Sequence, residues 1–309
     1  MTHAYSMSAA SCDILLNMKT LKEYINEAQK NKKAIAHFNV ANSDMLMAIV
    51  EASREVSKQY GEKIPVIIGV SEGERDAFGV TQFVDYVTSL RNEHDYPFFT
   101  NADHTYGVER TCEAIDAGYD MVIYDGNNVS HEENLEFTKQ VIAYRNEINP
   151  HCLVEAEFGF IGSGSNIKDE IPQGVSEETM TQPQEAKDFV DATSVDILAP
   201  SVGNVHGMVK SGNPHLSPEH VSKILDIAQV PLVLHGGSGS SDEDIDLVID
   251  AGISIIHIST ELRVAFRKGI EEELTDSDAL APYKYMKRAK QYMKEVAAQK
   301  LRQFYRVGR

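Results

Sequence analysis

Short apolar runs of β character alternate along this chain with longer segments in which apolar residues recur every three or four positions. The runs occupy 34–40, 64–70, 97–101, 121–124, 153–157, 195–200, 231–234 and 253–258. Between them, helix-period stretches fall at 43–59, 81–91, 108–117, 131–145, 184–191, 218–228 and 241–251, several opened by a capping residue such as Ser43 or Ser241. Strict alternation of strand and helix implies a parallel sheet, because a parallel crossover needs a connection of helix length. Eight strands favour closure, so the expected fold is an α/β architecture, the (β/α)8 TIM barrel.

Two segments stand outside the alternation. Residues 162–183 are rich in Gly, Ser, Asn and acidic side chains, too polar for core and too long for an ordinary connection, which predicts a mobile active-site loop. Residues 282–304 place Met286, Ala289, Tyr292, Met293, Val296 and Leu301 near helical spacing with Lys and Arg between them. They predict a long helix, opened by Pro282, that packs outside the barrel or against a partner subunit.

Composition narrows the function. The chain has 309 residues, 42% of them hydrophobic, and 29 Lys+Arg against 47 Asp+Glu give a net charge of −18. That charge repels nucleic acid, so no nucleic-acid partner is expected, and a phosphorylated ligand must be held locally by backbone amides and a few side chains. Cys12, Cys112 and Cys152 form no C-x-x-C pair, which points away from a disulfide framework and a cysteine zinc site and toward a reducing cytoplasm. No apolar stretch reaches the ~20 residues of a membrane span, so no membrane partner is expected. Residues 1–17 read as a flexible N-terminal extension, with Met7 or Met18 as alternative starts, and 18–309 as the barrel.

Three histidines, His104, His206 and His235, lie just beyond strand-like runs. On one rim of a barrel they can converge on a catalytic divalent metal, zinc foremost, which takes three protein ligands and keeps a position open. Singly, each has ordinary hydrogen-bonding or surface roles, as do His94, His131, His151, His215 and His220, which read as solvated. Asp103 precedes one proposed ligand and could move the proton of a bound hydroxyl, or orient an imidazole from behind. Glu155 and Glu157 alternate along one strand and face the same way, with Glu157 nearer the rim and Glu155 deeper. The Gly-rich turn after His235 and the Ser259–Thr260 pair after the last strand are suited to phosphate.

These residues stand in motifs similar to those of the class II, metal-dependent ketose-bisphosphate aldolases, the fructose- and tagatose-bisphosphate enzymes. AHFNVAN, PVIIGVSEG, NADH, MVIYDGNN, VEAEFG, VGNVHG, PLVLHGGSG, STELR and the tail YKYMKRAKQYMKEV occur in the family's order from about Met18 onward. The resemblance implies zinc on His104, His206 and His235, with Glu157 and Asp125 near an alternative metal position, and Asp103 as the proton-transfer residue. Phosphate recognition would fall to Gly207, Lys210, Gly236, Ser238, Ser259 and Thr260, while Asn39 and Ser71 line the substrate pocket. It further implies a monovalent cation (sodium or potassium), a sugar-phosphate substrate in glycolysis or related carbohydrate metabolism, and a homodimer or homotetramer. The expected reaction is reversible cleavage of a ketose bisphosphate, fructose 1,6-bisphosphate foremost, to dihydroxyacetone phosphate and an aldehyde.

Two stretches depart from the family pattern. Ser165 and Asn166 occupy positions where the family carries loop carboxylates, leaving Asp169 or Glu170 as replacements from a rearranged loop. In the last strand Ile255, Ile256 and His257 replace the family's Lys-Ile/Val-Asn, bringing an imidazole to the place of an asparagine that binds the three-carbon end. These changes keep open an aldolase for tagatose bisphosphate or another sugar phosphate, a non-catalytic partner subunit of an aldolase, and a barrel lyase or epimerase that breaks no carbon–carbon bond.

Overall fold

The structure, a computed structural model, describes residues 18–308. The expected extension over 1–17, with Met7 and Cys12, and Arg309 lie outside the described residues. Along the chain come α1 (Leu21–Lys30), β1 (Ile35–Asn39), α2 (Ser43–Tyr60), β2 (Val66–Val70), α3 (Glu72–Phe78), α4 (Val80–His94) and β3 (Phe98–Thr105). Next are α5 (Val108–Ala117), β4 (Met121–Tyr124), α6 (His131–Ile148), β5 (Leu153–Phe158), β6 (Ile167–Lys168), α7 (Pro183–Thr193) and β7 (Ile197–Pro200). The chain ends with β8 (Met208–Val209), α8 (Pro218–Ala228), β9 (Leu232–Leu234), α9 (Asp242–Ala251), β10 (Ile253–Ile258), α10 (Thr260–Asp276) and α11 (Pro282–Phe304).

Eight of these strands close a parallel barrel in the order β1-β10-β9-β7-β5-β4-β3-β2, as the alternation predicts. The remaining two, β6 and β8, form a separate parallel ladder pairing Ile167 with Met208 and Lys168 with Val209. The loop expected over 162–183 is therefore tied at one point to the segment that follows His206. Helix α2 is capped by Asn42, whose side chain accepts from Met45 N at 2.9 Å, so the expected cap Ser43 is the first helical residue instead. Ser241 caps α9 as expected.

Inward positions along the barrel strands recur every second residue. The lowest tier is apolar: Ile35, Ile67, Phe99, Met121, Leu153, Ile197, Val233 and Ile255, one from each barrel strand, cluster with Leu21, Ile25 and Ala28. Helix α1, opened by a Thr20–Glu23 capping box, thus closes the barrel floor. Two residues further along the strands stand His37, Asn101, Glu155, His235 and His257, all buried, and two further again Asn39, Asp103, Asp125 and Glu157. The interior changes from hydrocarbon to ionisable groups within two steps. Outward residues such as Phe38, Ile68, Val154 and Ile256 build the larger core beneath the helices. The C-terminal helix takes the first of its two expected places: Ala289, Met293, Ala297 and Leu301 are buried on the barrel's own helices.

Among the described residues, no helix is long and apolar enough to cross a membrane. Because Ile25 is 1% exposed and fills the barrel floor, Ile25→Ala is expected to cost about 2–4 kcal/mol by cavity formation. Urea unfolding of the two proteins measures this, and an unchanged midpoint would contradict the plug role of α1.

Candidate active site

Consecutive residues of a strand face opposite ways, yet Asp103 and His104 both reach the same rim. The β3–β4 register shifts between Ala102 and Thr105, and His104 takes the left-handed conformation at φ 36°. This bulge turns the chain so that the imidazole follows the carboxylate inward, at the cost of a backbone conformation that non-glycine residues rarely adopt.

The three rim histidines converge. Ring centroids lie 4.7 Å apart for His104–His206, 4.8 Å for His104–His235 and 5.8 Å for His206–His235. Each ring has one nitrogen fixed by an oxygen. His104 Nδ1 is 2.9 Å from Asp125 Oδ2, His206 Nδ1 is 2.9 Å from the Gly162 carbonyl, and His235 Nε2 is 2.6 Å from Glu155 Oε1. Such anchoring sets tautomer and ring plane and leaves the opposite nitrogen free, the arrangement typical of metal-binding imidazoles. His206 Nε2, His235 Nδ1 and Glu157 Oε2 are indeed buried without a hydrogen-bond partner. Ligand atoms of His104, Glu157, His206 and His235 all lie within 4.8 Å of one another. This donor set fits a zinc ion, and its orphaned atoms are what an ion would satisfy.

Without an ion, carboxylates carry the electrostatic balance. Burial opposes a charge on His104, but Asp103, Asp125 and Glu157 outweigh it and hold its pKa at about 9. Burial is likewise outweighed at His235, raised well above its ordinary value by Glu155 and Glu157. His206 goes the other way, to about 4, because burial dominates and His104 and His235 add to it against Glu157. Glu157 resists its own burial and falls to about 2 in the field of the histidines, whereas Glu155, deeper still, is raised by burial. Asn127 donates to Glu157 Oε1 at 2.6 Å.

Asp103 is 3% exposed. Asn39 Nδ2 donates to its Oδ2 at 2.8 Å and also lies 3.1 Å from Glu74 Oε2. Glu74 was not singled out from sequence; it closes the capping box of α3 with Ser71 and pairs with Arg263 at 2.5 Å. Ser71 therefore lines the outer cleft with its hydroxyl committed to Glu74 at 2.9 Å. Around the inner pocket stand Asn39, Asp103, His257 and Ser165, with Gly207, Gly236, Ser238, Ser259 and Thr260 at the phosphate-suited end. Gly236 has φ 63°, and a Cβ there would lie 2.1 Å from the Val205 carbonyl, so no side chain fits. Ser259 gives helix α10 no cap from its own side chain and its Oγ is buried and unpartnered, while Ser238 Oγ accepts from Ser259 N and Glu261 N at 3.3 Å. Backbone donors at that helix start are suited to a phosphate.

Three expectations change on contact with the structure. Lys210 is not part of the inner pocket: its Nζ bonds Asp169 Oδ1 at 2.6 Å on the surface, with 66% of its side chain exposed. Asp169 is thereby turned outward, and neither it nor Glu170 lines the inner pocket or outer cleft, so neither replaces the family's loop carboxylates here. His220, expected to be solvated, is half-buried with Nε2 2.7 Å from the Thr181 carbonyl, and His94, expected to be solvated too, has only 12% of its side chain exposed. His37, overlooked in the sequence, is fully buried under the site. The outer cleft, of about 240 Å³, opens beside His104, Glu157 and Ser165.

Known proteins resemble this chain over nearly its whole length. It is 35% identical to the fructose-bisphosphate aldolase of Geobacillus stearothermophilus over 298 residues, covering 95% of this chain and 99% of that one. The Staphylococcus aureus fructose-bisphosphate aldolase is 34% identical over 289 residues, covering 92% and 96%. Among solved structures, the YdjI aldolase from Escherichia coli K12 superposes with a TM-score of 0.78 at 30% identity, covering 93% of this chain and 97% of that one. A Coccidioides immitis protein described as a putative fructose-1,6-biphosphate aldolase shares the fold with a TM-score of 0.80 at 24% identity, covering 93% and 96%. Residues 19–309 match the family described as fructose-bisphosphate aldolase class-II, and with the barrel and its histidine rim in view the chain belongs to that family.

Proposed function

We propose that this chain is a zinc-dependent aldolase that reversibly cleaves the C3–C4 bond of fructose 1,6-bisphosphate to dihydroxyacetone phosphate and an aldehyde. The observation that carries the reading is the trio of imidazoles, each with one nitrogen pinned by an oxygen, whose ligand atoms lie with that of Glu157 within 4.8 Å of one another, with Asp103 alongside. His104, His206 and His235 would hold the ion, with Glu157 as an alternative ligand and Asp125 fixing His104. A bound zinc ion supplies Lewis acidity for the negative charge that cleavage leaves on the three-carbon fragment.

The remaining chemistry belongs to side chains and backbone. Asp103, charged because the surrounding histidines hold its pKa well below the ordinary carboxylate value despite burial, accepts the C4 hydroxyl proton in cleavage and returns it in condensation. Asn39 holds Asp103 Oδ2, and Oδ1, which accepts no hydrogen bond from the described residues, is the oxygen that takes the proton. Gly207, Gly236, Ser238, Ser259 and Thr260 cradle the phosphate of the three-carbon end, so binding energy remote from the reacting bond orients it. A cytoplasmic setting agrees with the free thiols Cys112 and Cys152. The assembly expected is a homodimer or homotetramer, for which Val264, Leu274, Leu280 and Tyr283 offer exposed apolar surface.

Cleavage of fructose 1,6-bisphosphate and tagatose 1,6-bisphosphate, measured side by side with and without a chelator, tests the reading. Activity on the former should vanish on chelation and return with zinc; turnover untouched by chelation would overturn it. Asp103→Asn, which keeps shape and removes the base, should lower kcat by about 10²–10⁴ while zinc content stays the same. Zinc uptake should also depend on pH. In the metal-free chain His104 keeps its proton up to a pKa of about 9, above its ordinary 6.5, so the proton competes with the ion until pH passes that value. Apparent affinity is therefore expected to rise with pH across this window, with proton release visible by titration calorimetry in buffers of different ionisation enthalpy. Uptake without pH dependence or proton release would contradict the assigned His104 environment.

A further inference from the structure

Below the rim the barrel contains two imidazoles, His37 and His257, that the reaction above does not use. The parallel register of β1 and β10 sets His37 opposite His257, and their rings stack with centroids 3.5 Å apart and 4° between planes. His257 in turn lies against His235, centroids 4.2 Å apart and planes 24° from parallel. His37 is fixed from its edge by Asn101, 3.0 Å from Nε2. Neighbouring Gly69 makes the room, since a Cβ there would fall 2.2 Å from His37 Cε1. Both faces of His257 are thus covered, and its plane is set by its neighbours.

The edge of that ring meets Asp103. His257 Nδ1 is 3.4 Å from Asp103 Oδ1, the oxygen that Asn39 does not hold, a charge–dipole approach short of a hydrogen bond, and Oδ1 has no hydrogen-bond partner among the described residues. A carboxylate gripped at one oxygen still swings about that contact, and a second contact on the other oxygen removes the swing. We propose that His257 is a positioning residue that fixes the orientation of the Asp103 carboxylate, with His37 as the platform that keeps its imidazole upright. The inference rests on the reading of Asp103 as the proton-transfer group. It also accounts for His37: a buried imidazole under the site is costly compared with an apolar side chain of similar size, and its contacts are the stack with His257 and the bond to Asn101.

Three variants test this. His257→Phe keeps the stacked ring and removes the nitrogen. His257→Asn puts an amide nitrogen close to where Nδ1 stands. Asp103→Asn supplies the background for a double-mutant cycle. Two activities are followed: cleavage of fructose 1,6-bisphosphate, and exchange of solvent deuterium into the reacting carbon of dihydroxyacetone phosphate, which involves no C4 hydroxyl. With zinc content equal, His257→Phe is expected to lower kcat for cleavage about ten- to a hundred-fold, with KM and the exchange rate nearly unchanged. His257→Asn should recover most of the loss, and His257→Phe should cost nothing further in the Asp103→Asn background. Parallel loss of exchange and cleavage would overturn the proposal in favour of direct contact with the three-carbon fragment, and so would losses that simply multiply. If the parent protein neither cleaves nor exchanges, the aldolase reading fails separately. The contact is then judged in the metal-free protein, where the Tm changes of His257→Phe and Asp103→Asn should not add. Additive changes would sink it.

Discussion

Ionisable groups can crowd the middle of this barrel only because carboxylates and imidazoles neutralise one another there. An isolated charge in such surroundings would cost several kcal/mol, and a carboxylate facing an imidazolium recovers much of that only with close contact. His235 illustrates the constraint: Glu155 Oε1 stands 2.6 Å from one ring nitrogen and Glu157 Oε2 3.0 Å from the other. The second approach is misaligned for a hydrogen bond, which leaves both atoms without a proper partner. Protons held by His104 and His235 balance the metal-free chain, and an ion would take over their role. The pH sensitivity, the ligand set and the orphaned atoms all descend from this one arrangement.

Much of the fold was legible because period-two apolar runs and capped helices repeat with little interruption. All eight barrel strands fall on the predicted runs, and β4 and β10 match to the residue. What escaped notice has physical reasons. Helix α1 carries its signal in three buried residues, Leu21, Ile25 and Ala28, ahead of the first strand, where no alternation demanded a helix. Helix α3 is seven residues long and buries Glu74 and Arg75 rather than an apolar stripe, so periodicity cannot reveal it. The two-residue ladder of β6 and β8 is set by backbone alone.

The site was readable residue by residue wherever position along a strand sufficed, as for Asp103, Glu157 and His235. Pairings across long loops were not. Lys210 looked available for phosphate, and only the folded chain brings Asp169 within 2.6 Å of it. The bulge at His104 is equally invisible in sequence, since a histidine at φ 36° has no compositional mark. His37 lies among apolar neighbours in β1, and nothing in the sequence sets it apart from core. The departures at Ser165 and His257 do lie at the site: Ser165 lines both the inner pocket and the outer cleft, and its carbonyl is 3.4 Å from an Arg263 nitrogen.

The floor of the barrel has a consequence for how the chain folds. Helix α1 precedes every barrel strand along the chain, yet its docking surface includes Val233 and Ile255, and β1 pairs with β10. Even the residue before β1 is claimed from afar, as Ala34 N donates to the Phe304 carbonyl at 3.0 Å. The apolar face of α1 therefore stays uncovered until the last barrel strands are in place. Such long-range closure slows folding and exposes a sticky surface meanwhile, so the stretch ahead of β1 is the part of the barrel left open to wrong partners for longest.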